Sequence, residues 1–247
     1  MLGGLFRIIL YEPILNLLVF FYDFIPGHDL GIAIIVLTIV LRFILYPLSA
    51  KSVKSQKALQ DLQPELEKLK KQYKNDREGL SRVTLEFYRK NKINPLSSCL
   101  PLLIQFPVLI AIYQVLRDGL NNSDVLKFLY SFIPNPGQLN PDFLNFLNLG
   151  TRNVYLAVLA GLTQFWQSRM LMKKNKPLQA KSNDFSAIAA NMSNQMVYIM
   201  PILTIFIALG FPAGLSLYWV ATTLFSILQQ WLVIRKNRNK ELSSTAS

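Results

Sequence analysis

The sequence predicts an all-α polytopic membrane protein. It has a core of five transmembrane helices, a cytoplasmic helical hairpin and an N-terminal amphipathic interfacial helix. Three observations predict it. Hydrophobic residues make up 51% of the 247 residues and the mean hydropathy is +0.29, which is more apolar than an ordinary soluble domain. Five apolar stretches, 30–48, 96–116, 154–172, 195–210 and 215–234, have the length of a bilayer crossing or come close to it. Finally, 21 of the 26 Lys and Arg residues fall in segments 49–95, 169–194 and 235–247. Cytoplasmic loops carry the Lys/Arg excess. The N-terminus and the 117–153 loop are therefore expected outside, and the C-terminus inside.

The elements follow in order. Residues 1–29 are apolar but carry Arg7, Glu12, Pro13, Asn16 and Asp23. Leu10, Ile14, Leu17, Leu18 and Phe21 fall at helical spacing, as in a helix lying in the outer interface. A sixth span or a signal anchor is the competing reading, and Glu12 and Pro13 in mid-segment argue against it. The first span is 30–48. Segment 49–95 holds twelve cations and six acids, with Leu59, Leu62, Leu66, Leu69 and Tyr73 at coiled-coil spacing, then Leu80, Val83 and Phe87. Asn75-Asp76-Arg77-Glu78-Gly79 turns this hairpin, and Pro64 is expected to kink or restart its first arm. The second span, 96–116, holds Pro101 and Pro107 and should be kinked. The 117–153 loop leads to the third span, 154–172, and a basic loop, 173–194. The fourth span, 195–210, is short, contains Pro201, and meets the fifth, 215–234, through Phe211-Pro212-Ala213-Gly214. A basic tail, 235–247, follows.

Arg42 is the residue that most constrains function. It lies inside LGIAIIVLTIVLRFILYPL, where a guanidinium costs ~2.5–3.5 kcal/mol on insertion scales. Its head either bends to the inner interface or finds polar company within the bundle. The other spans supply such company. Thr38, Arg42 and Ser49 share one face of the first span. Thr163, Gln164, Gln167 and Ser168 form a row in the third span, and Trp219, Thr222, Ser226 and Gln229 one in the fifth. Gln105 lies in the second. A single row would read as interhelical glue. Three rows with an arginine read as the walls of a water-containing groove, formed by Arg42, Thr38, Gln105, Gln164, Gln167, Trp219, Thr222 and Ser226.

The missing chemistry narrows the function further. Apart from Arg42 the spans hold no Asp, Glu, Lys or His, and His28 is the sole histidine. No metal cluster, nucleophile–base pair or proton relay can be assembled, so neither an enzyme, a cofactor nor a proton-driven pump is expected. The single cysteine, Cys99, reads as a small packing residue. Met192, Met196 and Met200 recur at i, i+4, with Met170 and Met172 nearby, and read as core packing rather than a ligand surface. The net charge of +12 would suggest nucleic acid in a soluble protein, but cations flanking spans suit anionic lipid, and no DNA partner is expected.

The residues also carry a resemblance. YEPILNLLVFFYD is followed by TIVLRFILYPLSAKSVKSQKALQDLQPELEKLKKQYKND, then NPLSSCLPLLIQFPVLIAIYQVLR, AGLTQFWQSRM and FPAGLSLYWVATTLFSILQQW. In this order and spacing the chain resembles the YidC/Oxa/Alb membrane protein insertases, in a short form without a large extracytoplasmic domain. The resemblance implies a five-helix core in a bacterial inner membrane, with a hydrophilic groove open to cytoplasm and lipid and closed outside. It implies Arg42 as the groove arginine, Gln167 and Trp219 as groove-lining residues, and 51–92 as the first cytoplasmic hairpin. The expected function is insertion and folding of nascent membrane proteins, alone or with the Sec translocon. The ribosome would engage the basic cytoplasmic segments, and membrane lipids the apolar faces. A channel or transporter, and a basic membrane anchor for ribosomes, are the alternatives.

Overall fold

The structure is a computed structural model; it describes residues 2–73, 76–92, 100–121, 123–170 and 185–245. The helices are α1 (Leu2–Phe6), α2 (Glu12–Phe24), α3 (Leu30–Ile44), α4 (Tyr46–Gln72), α5 (Arg77–Lys90), α6 (Leu100–Asn121), α7 (Val154–Met170), α8 (Phe185–Gly210) and α9 (Ala213–Thr245). A π-helical turn, Arg7–Tyr11, joins α1 to α2. A 3-10 turn, Ser123–Phe128, and an antiparallel pair, β1 (Asp142–Phe143) with β2 (Leu147–Asn148), lie between α6 and α7. Several expectations fall outside the described residues: the 173–184 part of the second basic loop, Asn75, Cys99, Met172, and the side chains of Met192 and Met196.

The chain is largely helical, as its apolar periodicity requires. Gly4–Phe24 and Leu103–Asn121 are long and apolar enough to cross a membrane, and α3 with the first part of α4 makes a bent third candidate. Val197–Gly210 is a shorter apolar helix. The first span departs from its expected extent. It ends at Ile44 rather than Leu48, and the chain bends by 69° into α4. Pro47 explains the break, since it lacks an N–H and its ring collides with the carbonyl one turn back. Pro64, by contrast, sits inside α4 without ending it, and is exposed.

The hairpin forms along the seam that its spacing predicts. Leu59, Leu62, Leu66, Leu69 and Tyr73 on α4, and Leu80, Val83 and Phe87 on α5, are all half-buried. Asp76 caps α5, its Oδ1 accepting from the Gly79 N–H at 2.8 Å. Burial at this seam raises the pKa of the Tyr88 phenol.

The main core gathers α2, α3, α6, the 126–149 loop and the start of α9. Gly27 (φ +89°) makes the corner after α2, a conformation glycine adopts at little cost. Asp29 then caps α3 through Ile32 N–H at 2.9 Å and accepts from the Leu144 N–H at 2.6 Å with its other oxygen. The α8–α9 corner is tied to the loop by Ala213 N–H to Thr151 C=O (2.7 Å) and Gly214 N–H to Leu149 C=O (2.9 Å).

A second packing unit joins α7 to α8 and α9. Gly161 sets its closeness: a Cβ there would lie 2.7 Å from Ile205 Cδ1 and 3.0 Å from the Pro201 carbonyl oxygen. Gly161→Leu is therefore expected to destabilise the bundle by ~1–3 kcal/mol through overpacking. Denaturant titration in detergent micelles measures this, and an unchanged midpoint would contradict the close α7–α8 approach.

Candidate functional site

Arg42 stands in the last turn of α3, because the helix breaks two residues after it. A cation at a helix C-terminus gains ~0.3–1 kcal/mol from the helix dipole, which offsets part of its burial cost. The guanidinium turns into the bundle. Its Nε donates to Thr222 Oγ1 at 2.9 Å and its second terminal nitrogen to Gln105 Oε1 at 3.2 Å. Gln105 in turn donates from Nε2 to the Tyr218 hydroxyl at 2.6 Å. Arg42 fixes the orientation of this amide, since a donor-only guanidinium needs its carbonyl end, and that leaves Nε2 for the Tyr218 hydroxyl.

This cage is neutral. Among the described residues no carboxylate pairs with Arg42. The two hydrogen bonds also leave most of its N–H donors without a partner among the described residues. The charge is thus held in place but not cancelled.

A second contact repeats the pairing with α9 at the start of α4. Ser49 Oγ lies 2.8 Å from Gln229 Nε2, which also reaches the Tyr46 carbonyl at 3.4 Å. Arg42 with Thr222 and Ser49 with Gln229 are both separated by 180 residues. A constant offset is what two segments running in parallel produce, so the polar row that runs from α3 into the start of α4 faces that of α9.

The polar row of α7 meets α9 on another flank. Gln164 Oε1 accepts from Thr204 Oγ1 at 2.6 Å and from Trp219 Nε1 at 3.1 Å. Successive residues of a helix point about 100° apart, so Tyr218 and Trp219 open onto different sides of α9. One side holds the Arg42 cage with α3 and α6; the other holds the Gln164 junction with α7 and α8.

Three expected site residues behave differently. Thr38 is fully buried and donates to the Ile34 carbonyl of its own helix at 2.6 Å. Ser226 does the same with the Thr222 carbonyl at 2.8 Å. Gln167 is half-buried and makes no hydrogen bond among the described residues. Tyr218 and Thr204 were not singled out from the sequence, although Tyr218 lies one turn before Thr222 and Thr204 interrupts the apolar run of the fourth span.

Burial gives the site its direction. On α3 the fully buried positions end at Thr38, one turn before Arg42. Among the described side chains of α6 they begin at Val108, just after Gln105. The cage therefore sits where the main core stops. Beyond it, towards α4, Phe43, Ile44, Tyr46 and Leu48 are exposed.

The same order of apolar runs and polar positions characterises a known family. The 60Kd inner membrane protein family model matches residues 20–241. The chain belongs to this family. A 60Kd-family relative from Fusobacterium nucleatum, named membrane protein insertase YidC, is 36% identical over 208 residues, or 84% of this chain and 87% of the relative. A YidC insertase from Lawsonia intracellularis is 37% identical over 233 residues, 94% of this chain but 40% of the relative. The chain thus spans most of one curated relative and less than half of the other. In three dimensions it is similar to an active YidC insertase crystal structure with the first transmembrane domain resolved. The TM-score is 0.59 at 25% identity, covering 88% of this chain and 45% of that one. The resemblance read from the motifs is met. The chain is thus a member of the 60Kd inner membrane protein family, and these relatives are named membrane protein insertases.

Proposed function

We propose that the chain is a membrane protein insertase, moving short polar segments of nascent membrane proteins across the bilayer without chemical turnover. One observation carries this: Arg42 is gripped by neutral groups on α6 and α9 at the point where the packed core ends. Such a cation attracts acidic segments, and the polar side chains around it lower the cost of bringing backbone and polar residues into the membrane. We take α9 as the floor of a groove, with Arg42, Gln105 and Thr222 on one wall and Gln164 and Gln167 on the other. Exposed apolar residues such as Leu228 and Leu232 then give the client's own span a path into lipid.

The five-span core, N-terminus outside and C-terminus inside, is part of this reading. The placing of α2 supports it. Tyr11 bonds Asp118 at 3.3 Å, Asn16 bonds the Phe128 carbonyl at 3.2 Å, and the Tyr22 hydroxyl accepts from Asn140 N–H at 3.0 Å. From Tyr11 to Tyr22 a helix rises roughly 16 Å. A span would carry one of those residues far from the outer loop. Contacts with residues 118–140 along the whole length suit a helix lying flat at the outer interface. Above Arg42, the fully buried Leu37, Leu116 and Leu149 argue against a continuous pore. The ribosome is taken to dock on the basic hairpin and tail, with the Sec translocon as a further partner.

Reconstitution tests the proposal. The purified chain in liposomes should protect the translocated segment of a single-span client from protease in the vesicle lumen, with no nucleotide or ion gradient. Protection equal to that of empty liposomes would refute it. Release of a small trapped dye on adding the protein would instead favour a channel.

A further inference from the structure

We propose that the β1–β2 turn is an anchor seated in the outer-leaflet interface, and that it fixes how deep α3, and with it Arg42, lies in the membrane. This rests on the outer placing of the 117–153 loop in the five-span reading above. The turn closes through Phe146 N–H to the Phe143 carbonyl at 3.2 Å. Between them Leu144 (φ +51°) and Asn145 (φ +60°) are both left-handed. Asparagine takes that conformation readily and leucine rarely, because its Cβ crowds the following carbonyl. In a turn facing water, Asn or Gly at 144 would remove that strain. Instead Leu144 is 52% exposed and Phe146 76%. Phe143 and Leu147, which flank the turn, pack on the main core. The chain thus bears strain to hold two apolar side chains away from the protein, which calls for an apolar environment outside it.

The fold sets the height of this tip. Asp29 Oδ2 accepts from the Leu144 N–H at 2.6 Å, while its other oxygen caps α3. The Phe143 ring lies where a Cβ on Gly31 would stand. Residues 29–31 open the first apolar run, so these ties hold the tip level with the outer boundary of the span. Phe24 at the end of α2 and Tyr155 in the first turn of α7 are exposed as well, and aromatic side chains favour such a boundary. Where the chain meets water it keeps apolar side chains covered: among the described residues of 54–90, Leu85 is the sole exposed large hydrophobic. A protein partner needs ~800 Å² a side, and a Phe supplies at most ~250 Å². Interfacial lipid fits a tip of this size. From Asp29 to Arg42 the helix rises about 20 Å, in a hydrocarbon core ~30 Å thick. A tip held at the outer boundary therefore keeps the Arg42 cage in the inner half of the bilayer, within reach of segments arriving from the cytoplasm.

The test uses the full chain, with Cys99→Ser, in vesicles of phosphatidylethanolamine and phosphatidylglycerol, carrying one nitroxide-labelled cysteine at a time. Power-saturation EPR compares collisions with oxygen, which is enriched in lipid, and with a water-soluble nickel chelate present on both sides. The label at Phe146→Cys should shift towards oxygen, in the direction of a label at Phe206→Cys on the exposed face of α8 and away from one at Asn135→Cys in the outer loop. Phe146→Asp should lift the tip and draw α3 outward. A label at Ile44→Cys, exposed at the inner end of α3, should then move deeper and gain in its oxygen-to-chelate ratio. Leu144→Asn, which suits φ +51°, should shift the label at 44 the same way with no loss of stability in denaturant titration, and Phe146→Trp should leave it unchanged. A ratio at 146 equal to that at 135 would overturn the proposal. So would low collision with both reagents at 146, which marks burial in protein, or a ratio at 44 that neither Phe146→Asp nor Leu144→Asn alters. Labelling of Asn135→Cys by an impermeant reagent outside intact cells separates the two readings. Unlabelled 135 would sink the outer placing itself, whereas labelled 135 with a water-like 146 sinks the anchor alone.

Discussion

Replacing Arg42 with alanine is expected to cut insertion of clients with an acidic translocated segment by at least roughly tenfold. Unit charges ~4 Å apart attract by ~4 kcal/mol at an effective dielectric of ~20. If about a third of that survives in a groove containing water, ~1.4 kcal/mol remains, which is a factor of about ten. The attraction is available because the protein provides Arg42 with neutral partners, Thr222 and Gln105, rather than a carboxylate. Arg42→Lys should keep most of the activity, since the charge persists although the ammonium cannot reproduce the planar two-point contact. Arg42→Glu should be worse than alanine for acidic clients. Paired clients differing only in acidic residues, at matched protein levels in a protease-protection assay, give the measurement. Equal insertion of both by wild type and Arg42→Ala would leave the charge without a translocation role. Equal loss of both would make Arg42 a structural tie between α3, α6 and α9.

Removing residues 54–90 and joining the ends with a short linker is expected to spare the protein but disable it. On α4 the fully buried residues are Ser52 and Val53; α4 contacts α9 and α6 as well as α5. Among the described residues of 54–90 none is fully buried, so the deletion is expected to leave the membrane core intact. The loss falls on the exposed basic surface that meets nascent chains or ribosomes at the groove mouth. Client insertion should drop by about fivefold, equivalent to ~1 kcal/mol, with accumulation in the membrane close to wild type. Full insertion by a stable deletion would reduce the arm to a surface ornament. Failure to accumulate would show that α4 and α5 carry packing beyond Val53.

The sequence made the helices legible because apolar period and charge placement act over many residues at once. Single residues were harder. Arg42 was legible because a lone cation in an apolar run has few physical explanations. The pairing of its row with that of α9 was implicit in matched polar positions. Which hydroxyls cross between helices was not. Thr38 and Ser226 satisfy themselves on carbonyls of their own helices, while Thr222 and Thr204 reach across, and sequence spacing is the same for both behaviours. Tyr218 carries no sequence signal for its role, which shows only in the hydroxyl that accepts from Gln105. The break at Leu45 was signalled by Pro47, but the apolar run continued past it and concealed the end of the helix. Pro64 carried the same signal and did not end its helix, because the α4 surface there is open and the lost hydrogen bond faces solvent.

The central claim is that clients pass between the α3–α6 and α7–α8 sides of α9. Site-directed photocrosslinking from a probe in place of Gln167 to a ribosome-stalled client of increasing length tests it most directly. The account predicts adducts at 167 that appear as the client's span emerges and fade once it is released into lipid, with a probe at the exposed Phe206 staying silent during the early lengths. Adducts at Phe206 with none at 167 at any length would contradict it.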